Sequence, residues 1–451
     1  MKLARPRKRL FWLQSAILAS FCLITLAATY WTLVRGPSIL DRSDNPRLVE
    51  AELNIDRGSI FDVNGQPLAI TEESDGELSR EYPLPSSAPA VGYYSIRYGT
   101  VGIEEAFDAY LRGESDDFWD NFWQIEVLNA PQTGRDIRLT IDSRWQALAD
   151  SLLGDRRGAV ILFSLPDVAI RAMASSPGYD PNSLESDFEQ LSLDEQAPLL
   201  NRVTQGQYQP GLLLQPFLMA AALQQGIIDL EEPVEASDSV VVVNDVSLSC
   251  QSAVEAEAEL SWAEALRARC PMVELGQHMG GDALSAALSA FGLTSEPDLP
   301  IVTEGPEETT IDELELAAIG QDRLAISPLQ LAVALAALAN QGELRPAQLV
   351  AARQDDAGNW VSSIPADTER AAVPADAAQA ILDALNQDEG VLEYSLAVLS
   401  GPSGELNSWY LGLAPATAPR YGAIVVVEDD QGTDSASDVG HALLKSVLSP
   451  N

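Results

Sequence analysis

Lysine is almost absent from this chain. Among 451 residues the lysines are Lys2, Lys8 and Lys445. Chemistry that relies on a buried lysine as base or carboxylate anchor has none to use between residues 9 and 444. Histidine is nearly as scarce, at His278 and His441. Each lies in a helical pattern, where a lone histidine is usually structural or solvated, so neither is assigned as base or ligand. The three cysteines make no C-x-x-C spacing, which excludes that zinc pattern, and no cofactor or metal is expected. Cys22 lies in an apolar stretch. Cys250 and Cys270 form a pair that an oxidising compartment would join as a disulfide and a reducing one would leave as buried thiols.

Positive charge is also in short supply. Lys and Arg total 27 against 67 Asp and Glu, a net charge of −40. Such a surface repels nucleic acid and anionic headgroups, so no nucleic-acid partner is expected. The imbalance is uneven. Residues 1–40 hold no acid, and Lys2, Arg5, Arg7, Lys8 and Arg9 cluster at the start.

Next comes Leu10–Val34, uncharged and long enough to cross a bilayer, with Trp12, Tyr30 and Trp31 near its ends. The positive-inside rule places residues 1–9 in the cytoplasm and Arg35 onward outside. The run is long for a cleaved leader, so an uncleaved anchor is expected. Arg35–Arg47 reads as a linker. Ile60–Asp62 and Gln66–Ile70 read as strands about an Asn64-Gly65 turn. Glu72–Pro89 reads as a loop, Ile103–Leu111 as a helix, and Asp116–Pro131 supplies Trp119 and Trp123 as packing anchors. Residues 135–142 alternate as a strand and Ser143–Leu153 is helical. Gly158–Phe163 and Val168–Ala174 form a hairpin, and residues 183–200 read as a polar loop.

At Asn201–Leu223 a Pro210-Gly211 turn runs into an apolar helix, Leu212–Leu223. A turn into a helix N-terminus suits a nucleophile, because backbone N–H groups and the helix dipole stabilise an oxyanion. Here that place holds Leu212, Leu213, Leu214 and Gln215. Helices are expected at Ser261–Gly280, Gly281–Phe291, Pro328–Ala339, Ala375–Leu385 and Asp438–Leu448, and strands at Ser408–Ala414 and Tyr421–Glu428. Strands early and late, with helices between, predict an α+β fold whose sheet joins both ends of a domain.

Several motifs in order carry a resemblance. Arg57–Ala69 reads R-G-S-I-F-D-V-N-G-Q-P-L-A, and Tyr98–Glu104 reads Y-G-T-V-G-I-E. Gly158–Ile161 reads G-A-V-I, and Ser175–Asn182 reads S-S-P-G-Y-D-P-N. Asn201-Arg202, Tyr208–Gly211, Gly320-Gln321 and Ser327–Ala332 follow. Together these resemble a class B penicillin-binding protein, the membrane-anchored D,D-transpeptidases of bacterial cell-wall synthesis. The resemblance implies a penicillin-binding, β-lactamase-like transpeptidase fold, an antiparallel sheet packed against helices. It further implies a cytoplasmic tail at 1–9, a transmembrane helix at 10–34, a pedestal at 35–134 and a transpeptidase-like domain at 135–451.

That family uses S-x-x-K, S-x-N and K-T-G. Aligned on its motifs, the serine is replaced by Leu212 and its lysine by Gln215. The second triplet becomes Arg269-Cys270-Pro271 and the third Ser400-Gly401-Pro402. Leucine is no nucleophile and glutamine no base, and Pro402 removes a strand N–H where substrate would pair with the sheet edge. The resemblance therefore implies a single-pass bacterial membrane protein with its bulk outside, catalytically silent, scaffolding cell-wall synthesis. Its implied partners are a glycosyltransferase or division or elongation proteins, and peptidoglycan itself. Two alternatives stand beside it: an active D,D-transpeptidase using Ser400 or Ser403, and a stem-peptide or β-lactam sensor with Arg269 as the new carboxylate contact.

Overall fold

The computed structural model describes residues 6–31, 55–74, 77–114, 133–234, 240–253, 259–363, 369–400, 404–430 and 434–449. The linker Arg35–Arg47, the stretch Asp116–Pro131 with Trp119 and Trp123, and Pro402 and Ser403 lie outside them. Helix α1 (Pro6–Tyr30) contains an exposed apolar run, Phe11–Tyr30, with mean hydropathy 1.8, enough by length and composition to cross a bilayer.

The longer elements then follow in chain order. Strands β1 (Ile60–Phe61), β2 (Pro67–Ser74), β3 (Glu77–Glu81) and β4 (Ile137–Leu139) lead to helix α2 (Ser143–Leu153). The hairpin β5 (Gly158–Ser164) and β6 (Ile170–Ser176) precedes α3 (Leu184–Leu193). Helices α4 (Gln215–Gln224), α5 (Trp262–Ala268), α6 (Glu274–Ala290) and α7 (Pro328–Ala339) form the middle. Strands β7 (Val350–Gln354) and β8 (Trp360–Ser362) and helix α8 (Ala375–Ala384) come next. Strands β9 (Asn386–Asp388), β10 (Val391–Ser400), β11 (Glu405–Ala414) and β12 (Tyr421–Val427) and helix α9 (Asp434–Leu448) end the chain.

The central sheet has the order β9-β10-β11-β12-β5-β6 and is antiparallel throughout. It joins strands from both ends of the domain, as the strand pattern requires. All of β5 is buried, which explains its unbroken apolar run. Helices α2 and α9 cover one face over Leu153, Val160, Val425 and Leu443. The helical block covers the other over Phe163, Phe217, Leu335 and Trp409. Burying such a side chain contributes about 1.5–3 kcal/mol, so this two-sided core fixes the sheet.

A second sheet runs β8-β7-β4-β1-β2-β3, parallel at β1–β4 alone among its pairs. Strand β4 and the hairpin at residues 350–362 carry this pedestal sheet past the boundary expected at 134/135. Asp62 fastens its first turn. One carboxylate oxygen accepts from the N–H groups of Asn64 and Gln66, both at 2.8 Å. The other accepts from Ser143 N at 3.0 Å and Ser143 Oγ at 2.8 Å, tying the turn to the head of α2.

Three local expectations give way. The loop expected at Glu72–Pro89 is in part a hairpin, with β2 running to Ser74 and β3 pairing against it. Its polarity conceals it: Thr71 and Arg80 turn inward to an ion cluster instead of an apolar core. Within the loop expected at 183–200, α3 forms. Glu185 and Asp187 suit its first turn, and Phe188 stacks on Tyr98 at 4.0 Å between ring centroids. The helix expected at Ser261–Gly280 breaks after Ala268, where Arg269 takes a left-handed conformation (φ 57°) ahead of Pro271.

Candidate active site

The head of α4 is built from a single 3₁₀ turn, Gly211–Leu214, entering the helix at Gln215 with Pro216 in its first turn. Gly211 has φ 55°, open to glycine at little cost. Its N–H donates to Gly320 O at 3.1 Å, and Gly320, at φ 63°, leaves no room there for a Cβ. A Cβ on Gly211 itself would lie 2.6 Å from Val398 Cγ1 of β10. The two glycines therefore let the helix head, the Gly320-Gln321 segment and β10 close on one another.

Closure leaves the helix head dry. Leu212 is 6% exposed and Gln215 0%. The Tyr394 hydroxyl reaches Leu212 O at 3.4 Å. Burial pushes that phenol up, against the pull of Arg269, so it remains a neutral donor rather than a base. Both amide atoms of Gln215 are buried without a hydrogen-bond partner. Such orphaned atoms cost free energy and carry no chemistry here. Gln215→Met, which removes them at similar volume, is expected to stabilise the chain by about 1–2 kcal/mol in urea denaturation. A loss of stability would show that the amide has a partner that matters.

The residues that the motif alignment sets against the second triplet follow α5. Arg269 caps that helix and donates to Ser252 Oγ. Cys270 is buried and bonded to Cys250, and Pro271 is buried beside it. Closing a loop of this size by a disulfide stabilises by about 3 kcal/mol in the chain-entropy model. Gln251 N–H to Arg269 O (3.4 Å) and Ser252 N–H to Ala268 O (3.1 Å) complete the stitch. No feature of the sequence other than the even cysteine pair signals it.

The third position is the end of β10. Ser400 pairs with Glu405 at the β10–β11 hairpin. No strand is expected from the sequence at 391–400, although Leu392, Tyr394, Leu396 and Val398 alternate inward. Beyond β9, this strand would present an open edge. Gln251 fills it: its Oε1 accepts from Ala397 N–H at 2.9 Å and its Nε2 donates to Ala397 O at 2.7 Å. One side-chain amide thus makes both bonds that a paired antiparallel residue would make. Gln321 Nε2 lies 3.4 Å from Leu399 O, two residues on.

Beneath the cleft, the Asn201-Arg202 and Tyr208 motifs meet at Glu428, one residue past β12. Arg202 Nε lies 2.9 Å from Glu428 Oε1 and Arg157 Nε 2.5 Å from its Oε2. The Tyr208 hydroxyl donates to Glu428 Oε1 at 2.7 Å, and its ring packs edge-on against Trp409. Burial foremost, then Glu428, push the Tyr208 phenol up. This group anchors the loop before α4 to the central sheet; its role is positional.

An antiparallel sheet with helices on both faces, a helix head set against an edge strand and a second sheet as pedestal define a transpeptidase-type α+β protein. The model of the penicillin binding protein transpeptidase domain matches residues 158–449, and that of the penicillin binding protein A dimerisation domain matches residues 57–137. The chain belongs to the penicillin-binding protein transpeptidase family. It is 30% identical to peptidoglycan D,D-transpeptidase PbpA of Mycolicibacterium smegmatis, over 95% of this chain and 94% of that one. To the protein of the same name from Mycobacterium tuberculosis it is 28% identical at the same coverage. The structure of penicillin-binding protein A from M. tuberculosis as an imipenem acyl-enzyme complex superposes with a TM-score of 0.78 at 26% identity, covering 88% of this chain and 99% of that one.

Proposed function

We propose that this chain is a catalytically silent member of its family that serves cell-wall biogenesis as a membrane-anchored scaffold. The observation that carries this is the head of α4. Leu212 and Gln215, which the motif alignment sets against the family's serine and lysine, are buried there beneath β10, and no lysine lies between Lys8 and Lys445. Loss of a nucleophile leaves only background catalysis. Gln251 on the edge of β10 adds to the reading, since a substrate strand would need that edge.

The fold is maintained where the chemistry is not. The pedestal motifs converge on a buried ion cluster, Arg57, Arg80 and Glu104, and the central core is complete. Such a body can hold a membrane-embedded glycosyltransferase or a division or elongation protein through α1 and the pedestal. A disulfide between Cys250 and Cys270 fits an extracytoplasmic bulk with residues 1–9 inside.

Fluorescent penicillin tests this directly. The purified chain is expected to stay unlabelled on a denaturing gel under conditions that label penicillin-binding protein A from M. tuberculosis, which forms a penicillin G acyl-enzyme. A covalent band that excess unlabelled penicillin competes away would sink the proposal. Co-purification of a cell-wall polymerase from detergent extracts is the positive counterpart.

A further inference from the structure

A second polar cluster lies where β10 begins, away from the helix head. The turn between β9 and β10 carries Asp388 and Glu389, and Glu393 follows on β10. His441 of α9 faces all three. Its Nδ1 is 3.2 Å from Glu393 Oε2. Its Nε2 is 3.7 Å from Glu389 Oε2 and 4.0 Å from Asp388 Oδ2. Lys445, one turn along α9, holds Glu389.

An independent observation comes from beneath. Tyr410 of β11 is 0% exposed, and its hydroxyl has no hydrogen-bond partner. Its position is fixed by two glycines. A Cβ on Gly440 of α9 would run into the Tyr410 ring, and one on Gly412 would lie 2.5 Å from the Tyr410 hydroxyl oxygen. Gly412 pairs across the sheet with Glu393. The orphaned hydroxyl therefore points toward the end of the sheet where the carboxylates gather. Burial first, then Glu393 and Asp388, keep it protonated, so it is a donor without an acceptor.

We propose that His441, Asp388 and Glu389 bind a divalent transition-metal ion of the zinc type, with Glu393 orienting the imidazole. A proton on Nδ1 donated to Glu393 leaves the Nε2 lone pair facing Asp388 and Glu389. That is the carboxylate–histidine–metal relay by which proteins fix the ligating nitrogen. One imidazole nitrogen with carboxylate oxygens suits zinc. Tetrahedral ligands at zinc bond lengths stand about 3.4 Å apart, and Nε2 is 3.7 Å from Glu389 Oε2 and 4.0 Å from Asp388 Oδ2, both on exposed side chains of one turn. The ion takes over from Lys445 as countercharge to Glu389. The unpartnered Tyr410 hydroxyl lies beside Gly412, across the sheet from Glu393, on the buried side of this cluster. The consequence is structural: the ion fastens the β9–β10 turn to α9 and braces the edge strand whose far end covers α4. Calcium and magnesium want six or more oxygen ligands and are not served.

The test uses the full-length chain in detergent, stripped with chelator, in a Cys22→Ser background that removes the free thiol. Calorimetry with zinc chloride is expected to show one equivalent bound and a raised thermal midpoint, with no response to magnesium or calcium chloride. His441→Gln and Asp388→Asn are each expected to weaken zinc binding at least tenfold, and Glu393→Gln about 10–100-fold. All three sites are on or near the surface, so each variant should unfold without metal at the parent midpoint. Absence of zinc binding by the parent, or binding unchanged in His441→Gln, overturns the proposal. This outcome is independent of the penicillin result, because the cluster shares no residue with the cleft.

Discussion

Glu104→Ala is expected to lower the unfolding free energy by about 3–5 kcal/mol, the usual cost of leaving buried charge unpaired. Glu104 is fully buried between Arg57 Nε at 2.7 Å and Arg80 Nε at 2.7 Å, and both guanidinium groups are nearly as buried. Without it Arg57 keeps Asp108 at 2.6 Å, but Arg80 is left with Arg57 O and Thr71 Oγ1 as its acceptors. An exposed control sets the scale. Arg323→Ala breaks ion pairs with Glu308 and Asp312, all about half exposed, and should cost less than about 1 kcal/mol. The same cluster sets an acid limit. Burial would raise the Glu104 carboxyl, but Arg80 and Arg57 outweigh it and hold it below the usual range. A carboxylate lowered on folding stabilises above its unfolded value and loses that contribution as pH falls through the folded one. Stability should therefore decline below about pH 4.5, and Glu104→Gln should flatten that decline. Urea denaturation at a series of pH values checks both. A Glu104→Ala chain as stable as its parent would mean that the cluster does not hold the pedestal.

The sequence made the pedestal motifs visible without giving their purpose. Arg57 and Glu104 stand out in two separate patterns, and the fold brings them into one ion pair. Asp62 stands out likewise, and in the fold it clasps both its own turn and the head of α2. Apolar periodicity revealed β5, α7 and the two-ended sheet because burial there is purely hydrophobic. It failed at β3, where the inward side chain is Arg80, and at α3, whose surface is mostly polar. The sequence shows no lysine between Lys8 and Lys445, and the motif alignment sets Leu212 and Gln215 at the helix head, where the structure buries both. What fills the space around them is not legible there. Gln251 has no pattern around it, because a side-chain amide mimicking a strand depends on the Cys250–Cys270 bridge and on the register of β10. His441 reads as a lone histidine in the sequence, because the carboxylates facing it come from about fifty residues earlier.

Placing the family's serine and lysine where the motif alignment sets them, Leu212→Ser with Gln215→Lys, is expected to cost stability without producing penicillin acylation. Position 215 is 0% exposed, and no group reaches the glutamine amide there. A lysine at that depth lacks a counterion, and burial depresses its pKa by up to about 3–5 units, each unit being about 1.4 kcal/mol. The unfolded chain holds its lysine proton up to about pH 10.4. The penalty therefore vanishes above that pH, grows as pH falls, and levels off below the folded value. Urea denaturation should show the gap between variant and parent widening from pH 10 to pH 7. Acylation should still fail, for two reasons that the substitutions leave untouched. Position 212 is buried, with Val398 packed against the preceding Gly211 and the Tyr394 hydroxyl on the Leu212 carbonyl, and Gln251 already holds the Ala397 N–H and carbonyl. A hydroxyl that penicillin cannot lie beside gains nothing from a nearby amine, because the reaction needs the carbonyl within about 3–3.5 Å in an aligned pose. Penicillin labelling of the double variant at a rate near that of the M. tuberculosis relative would show instead that the cleft is open in solution and that those two side chains alone had been missing.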